Sequence, residues 1–119
     1  MRYPAEMIGA PPVGACRIDA RIGLVDSGVG NHPTLASARI TRKNFVARDA
    51  ATNVAHGTAI ASMLVGDLPG SGPLAPGAQV FSANVFVQDA DGLRADAHAI
   101  IAALDWLAEQ RVPVVDLSL

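Results

Sequence analysis

The sequence predicts an α/β fold built on parallel strands. Three features carry that prediction. Short apolar runs bounded by turn residues recur along the chain, and segments with helical character alternate with them. The first run also ends in an acid followed by a turn, Asp26-Ser27-Gly28. Strand, helix, strand, helix, strand in that order implies parallel pairing through crossover connections.

Residues 1–17 read as an irregular lead-in, because Pro4, Gly9, Pro11, Pro12 and Gly14 interrupt any helix or central strand. The ordered domain is drawn at residues 20–119, with 1–19 left outside it. Ala20–Asp26 holds Ile22, Leu24 and Val25 and reads as a buried strand. Ser27–Pro33 is a loop, and Asn44–Ala47 reads as a short second strand. His56–Val65 is apolar nearly all round, as in a helix buried within a domain, with Gly66 as its stop. Asp67–Gly77 is a Pro- and Gly-rich loop. Gln79–Val87 is β-branched and aromatic enough for a core strand. Ala95–Gln110 carries Ala97, Ile100, Ile101, Leu104, Leu107 and Ala108 at helical steps, with Asp96 favouring the positive end of the helix dipole. Val112–Leu119 reads as the last strand. The sequence stops at that strand without a turn, cap or polar tail, and so reads as cut off.

The 119 residues suffice for one modest domain. Half of them are hydrophobic and the mean hydropathy is +0.31, which excludes a disordered tail. A net charge of −2 gives no electrostatic footprint for nucleic acid or an acidic membrane. No apolar run approaches the roughly 20 residues of a membrane span. Cys16 is the only cysteine, so neither an internal disulfide nor a cysteine zinc site can form. The N-terminus lacks a signal-peptide pattern, and localisation stays open. Abundant Ala and Arg, with Lys43 the only lysine, suggest a GC-rich bacterial gene.

Two motifs carry chemistry. Asp26 closes the first strand in Val25-Asp26-Ser27-Gly28-Val29, at the strand end where open α/β sheets bind ligands. Such an acid can orient a histidine, hold a metal, accept a phosphoryl group, meet a ribose, or simply bond its own turn. His56 opens the buried helix in His56-Gly57-Thr58. The helix dipole disfavours an imidazolium there, so a neutral base with a nearby carboxylate suits the position, as does a backbone-satisfied cap. Gly57 lets another stretch of backbone approach closely.

Together the motifs resemble those of the subtilisin-like serine proteases, the subtilases of peptidase family S8. Val25-Asp26-Ser27-Gly28-Val29, with His32-Pro33 and Leu35 downstream, is similar to the family's aspartate motif. His56-Gly57-Thr58 followed by small residues is similar to its histidine motif. Leu74-Ala75-Pro76-Gly77-Ala78 resembles the family's Val-Ala-Pro-x-Ala segment. Asp105-Trp106-Leu107-Ala108 and Val114-Val115-Asp116-Leu117-Ser118-Leu119 resemble the following helix and cleft-lining strand. The likeness runs in order over residues 20–119.

The resemblance implies a three-layer α/β/α domain, a parallel sheet with helices on both faces, truncated before its serine-bearing half. It implies an Asp-His-Ser triad in which Asp26 orients His56 and His56 takes the serine proton. It implies a polypeptide substrate, with Ser118 and Leu119 in the pocket wall and Gly92 beside the substrate strand. No cofactor is expected, and Asp89, Asp91 and Asp96 lack the spacing of a calcium loop. The chain departs from the family at Ala59, where many relatives carry a second histidine, at Ser62 for Gly, and at Asp116 for Asn.

None of Ser27, Ser37, Ser62, Ser71, Ser82 and Ser118 sits in the family's Gly-Thr-Ser-x-Ala setting. Ser71, His32 and His98 read as turn or surface residues, and Trp106 as packing. The expectation is therefore a serine endopeptidase domain lacking its nucleophile, inactive until the missing C-terminal half is supplied. An alternative is a non-catalytic remnant that binds peptides or a partner through a sheet edge. A third reading, a metal or phosphate site at Asp26 and His56, offers too few ligands for zinc.

Overall fold

The computed structural model describes residues 7, 9, 19–47, 53–70 and 72–119. Most of the lead-in, Cys16 and Ser71 lie outside the described residues. The elements in chain order are β1 (Arg21–Asp26), a 3-10 turn (Pro33–Leu35), β2 (Arg39–Asn44), α1 (Ala55–Val65) and β3 (Gln79–Asn84). There follow β4 (Phe86–Asp89), β5 (Gly92–Ala95), α2 (Ala97–Glu109) and β6 (Val114–Leu117).

Four strands form one parallel sheet in the order β2-β3-β1-β6. Alternate residues of the inner strands face opposite helices, as a two-residue period requires. Leu24 and Val80 pack with Ala61 of α1 and with Val29 and Leu35. Val25, Phe81 and Ala83 pack with Ala99, Ala103, Trp106 and Leu107 of α2. The domain is thus three layers, with a helix on each face of the sheet. The fully buried Leu24, Val25, Val80 and Leu107 each contribute roughly 1.5–3 kcal/mol by leaving water.

Several boundaries differ from the sequence prediction, three of them for a reason visible in the structure. The second strand is Arg39–Asn44, not Asn44–Ala47. It is the sheet edge, where Arg39, Arg42 and Lys43 face water, so it lacks the apolar signature of a buried strand. The run Gln79–Val87 splits at Val85, whose N–H donates to the Asp26 carbonyl while its carbonyl accepts from Asp96. The chain beyond it leaves the sheet as an antiparallel hairpin, β4 with β5. The helix starts at Ala97 because Asp96 caps it, accepting from the Ala99 N–H at 3.0 Å. The last strand is shorter, Val114–Leu117.

α2 also buries a different stripe from the one its large residues suggest. Ala99, Ala103, Trp106 and Leu107 face the sheet, whereas Ile101 is 61% exposed and Leu104 also faces outward. Small alanines let the helix lie close, and Trp106 fills the remaining space against Phe45 and Phe81, at ring separations of 5.7 and 5.8 Å. No described helix is long and apolar enough to cross a membrane.

Candidate active site

The sheet register gathers polar side chains at one edge. Asn44, Asn84 and Asp26 end β2, β3 and β1 and lie side by side as paired residues. Asn84 donates its amide to Asn44 Oδ1 at 3.0 Å and accepts the Phe86 N–H, which fixes the chain as it leaves the sheet.

Asp26 is 1% exposed. A carboxylate so buried needs partners, because desolvating an unpaired charge is costly. Two partners are present. The Ser27 N–H donates to Oδ1 at 2.6 Å, and His56 Nδ1 lies 2.8 Å from Oδ2 and 3.0 Å from Oδ1. An ionised carboxylate only accepts, so in a neutral imidazole facing it Nδ1 would carry the proton and Nε2 would be left as the acceptor. The His56 side chain is 60% exposed. One nitrogen is anchored in the protein while most of the ring is open to solvent.

The backbone that brings the two side chains together is tied at three points. Gly57 N–H donates to Ser27 Oγ at 3.1 Å. Gly30 N–H donates to Thr58 Oγ1 at 2.8 Å. A Cβ on Gly57 would lie 2.0 Å from the Gly28 carbonyl oxygen, so only glycine admits this approach. Gly28 itself has φ +86°, the left-handed region that favours glycine. Arg42 secures the same loop from β2, donating Nε to the Val29 carbonyl at 2.9 Å.

The other residues singled out from the sequence lie elsewhere. Gly92, with φ +109°, pairs with Asp89 at the hairpin turn, the end of the hairpin remote from the sheet. Ser118 follows Leu117, the partner of Val25, and so stands at the level of Asp26 across the sheet, its hydroxyl donating to Asp116. Leu119 is exposed beyond it. His32 caps the 3-10 turn, accepting the Thr34 N–H at 3.3 Å, and His98 is on the surface. Asp89 is occupied by Arg94 at 2.8 Å and by the Asp91 N–H, and Asp96 by its helix. The Arg94 guanidinium holds the Asp89 carboxyl below its ordinary value, and Asp89 raises Arg94 in return. Among the described residues, no three His, Cys, Asp or Glu side chains group to hold a metal.

Sequence reasoning gave Ser27, Gly30 and Thr58 no part in the site. A signal for Ser27 was available. α1 is preceded by Val54, which has no side chain able to cap it, and Asn53 reaches only the Ala55 N–H, so the Gly57 N–H takes its acceptor from another segment. An open depression of about 450 Å³ lies on the flank of α1, bounded by Asn31, His32, Asn53, Thr58, Ala59 and Ser62. Neither Asp26 nor His56 lines it.

The fold has a solved counterpart. A mutant of the protease domain of PatA superposes with a TM-score of 0.70 at 23% identity, covering 89% of this chain. The match covers 41% of the PatA chain, so the chain described here spans well under half the length of that structure. No curated protein gives a match. The model of the subtilase family, Peptidase_S8, matches residues 18–119. The chain belongs to the subtilase family of serine proteases.

Proposed function

We propose that residues 20–119 are the first part of a subtilisin-like endopeptidase domain, that residues 1–19 are a lead-in to it, and that Asp26 and His56 are two members of its catalytic triad. The observation that supports this reading best is the contact of 2.8 Å between His56 Nδ1 and a buried Asp26 oxygen. In the proposed mechanism Asp26 holds His56 with Nε2 as acceptor. Nε2 takes the proton of a serine hydroxyl as that oxygen attacks the peptide carbonyl. The imidazolium so formed is stabilised by Asp26, and it returns the proton to the leaving amine. The serine and the oxyanion asparagine lie beyond these 119 residues. Gly92, Ser118 and Leu119 contact the polypeptide substrate in the assembled cleft.

Without its serine the chain has no nucleophile for acyl transfer, and lacking an oxyanion donor costs about 100- to 1,000-fold besides. The 119-residue chain is therefore inactive by itself. A peptidase assay on the purified chain tests this directly: no turnover is expected. Hydrolysis that disappears on His56→Ala would refute the claim that the nucleophile lies elsewhere.

A further inference from the structure

The geometry points to Ser27 as a positioning residue for His56, acting through the Gly57 amide; the inference rests on the reading of Asp26 and His56 as a catalytic pair. An α-helix leaves its first N–H groups without internal partners, and they take whatever acceptors the surroundings offer. At the start of α1, Asn53 Oδ1 accepts the Ala55 N–H at 2.9 Å, and Val54 contributes no side-chain cap. The Gly57 N–H, one residue past His56, is satisfied from a different segment altogether, by Ser27 Oγ at 3.1 Å.

That acceptor is rigid. Ser27 is 1% exposed, and its own N–H is held by Asp26 Oδ1 at 2.6 Å. Asp26 and Ser27 therefore act as two adjacent teeth. One grips the His56 ring and the other grips the backbone that carries it. The Gly28 carbonyl presses against Gly57 from the same side, so the helix start cannot slide towards β1, while the Ser27 bond keeps it from moving away. The Nδ1–carboxylate distance is thus set by backbone contacts, independent of any charge on the ring. Such pre-organisation is what a proton-transfer pair needs, because a displacement of roughly 1 Å can cost on the order of 100-fold in rate.

The test follows the His56 Nδ1 proton by NMR in the 119-residue chain, in the parent and in Ser27→Ala, Ser27→Thr and Asp26→Asn. Each variant's thermal melt is recorded so that stability and positioning are read separately. A loosened helix start weakens the Asp26 contact and opens the Nδ1 proton to exchange with solvent. Its exchange should then quicken about threefold in Ser27→Ala, on the scale of a weakened hydrogen bond. Ser27→Thr, which keeps the hydroxyl, should restore the parent rate, and Asp26→Asn should quicken exchange further. If Asp26→Asn quickens exchange and Ser27→Ala leaves it at the parent rate, the positioning role is overturned while the catalytic pair stands. If neither variant changes it, the Asp26–His56 coupling itself fails, and Ser27 loses its role with it.

Discussion

Substituting Gly57 by Ala separates a close-packed joint from an ordinary helix start. At an unhindered helix position the change would stabilise the protein by about 1 kcal/mol, because Ala is the better helix former. Here the added Cβ falls 2.0 Å from the Gly28 carbonyl oxygen and 3.0 Å from its carbon, both backbone atoms. Ordinary contact begins at 3.4 Å, so α1 must retreat by about 1.4 Å. Such a shift would stretch both the 3.1 Å bond to Ser27 and the 2.8 Å contact between His56 and Asp26 beyond hydrogen-bonding range. Overpacking of this kind costs about 1–3 kcal/mol and each lost bond about 1 kcal/mol more. After the gain in helix propensity, the net loss is about 2–4 kcal/mol. For a chain of this size that lowers the melting temperature by about 10 °C. Urea unfolding of Gly57→Ala beside the parent gives the value, and solvent exchange of the His56 Nδ1 proton by NMR reports the opened pair. A variant as stable as the parent, with that exchange unchanged, would refute the argument that backbone contact fixes the site.

Trp106→Ala should cost about 3–5 kcal/mol in urea unfolding, whereas Ile101→Ala, on the exposed side of the same helix, should stay within about 0.5 kcal/mol; equal costs would mean that α2 is turned the other way. The Asp89 carboxyl should titrate below the ordinary carboxylate value by NMR, because Arg94 and the Asp91 N–H favour its charged form. Its contribution is then complete above the unfolded carboxylate value and is lost as pH falls through the lowered one; Arg94→Ala should move the midpoint up, and an unmoved midpoint would contradict the assignment. Val114 is 61% and Leu117 49% exposed on β6, which pairs only with β1 among the described strands. The isolated chain should therefore self-associate in sedimentation. A monomeric mass would contradict this.

Much of the fold was legible because the buried strands and α1 are written in apolar residues bounded by turns. Val25 and Asp26 announce a strand that ends in a polar site, and Ala61 and Gly66 lie where the helix reading puts them. The misreadings share one cause, which is that periodicity records which side chains are apolar and not which ones a neighbour covers. Ile101 and Leu104 fit a core stripe, yet close approach of α2 to the sheet required the smaller Ala99 and Ala103. β2 was displaced because an edge strand with Arg39, Arg42 and Lys43 on it looks like loop. The β4–β5 hairpin hid inside an apolar run, since the break at Val85 comes from backbone bonds to Asp26 and Asp96 that leave no mark in side-chain type. At the site, the position of Gly57 beside His56 already signalled a close backbone approach, and the partner is the Gly28 carbonyl. The tie from Ser27 depends on two segments 30 residues apart and emerges only when the sheet brings them together.

The proposed pairing of Asp26 and His56 with a serine from outside these residues is tested by fluorophosphonate labelling of the protein encoded by the source gene, read past the codon for Leu119. Label is expected on a serine in a Gly-Thr-Ser-x-Ala segment, slowed by at least about 1,000-fold on His56→Ala, on the scale of triad losses. A frame that closes at Leu119, or a downstream serine that labels equally well without His56, would contradict it.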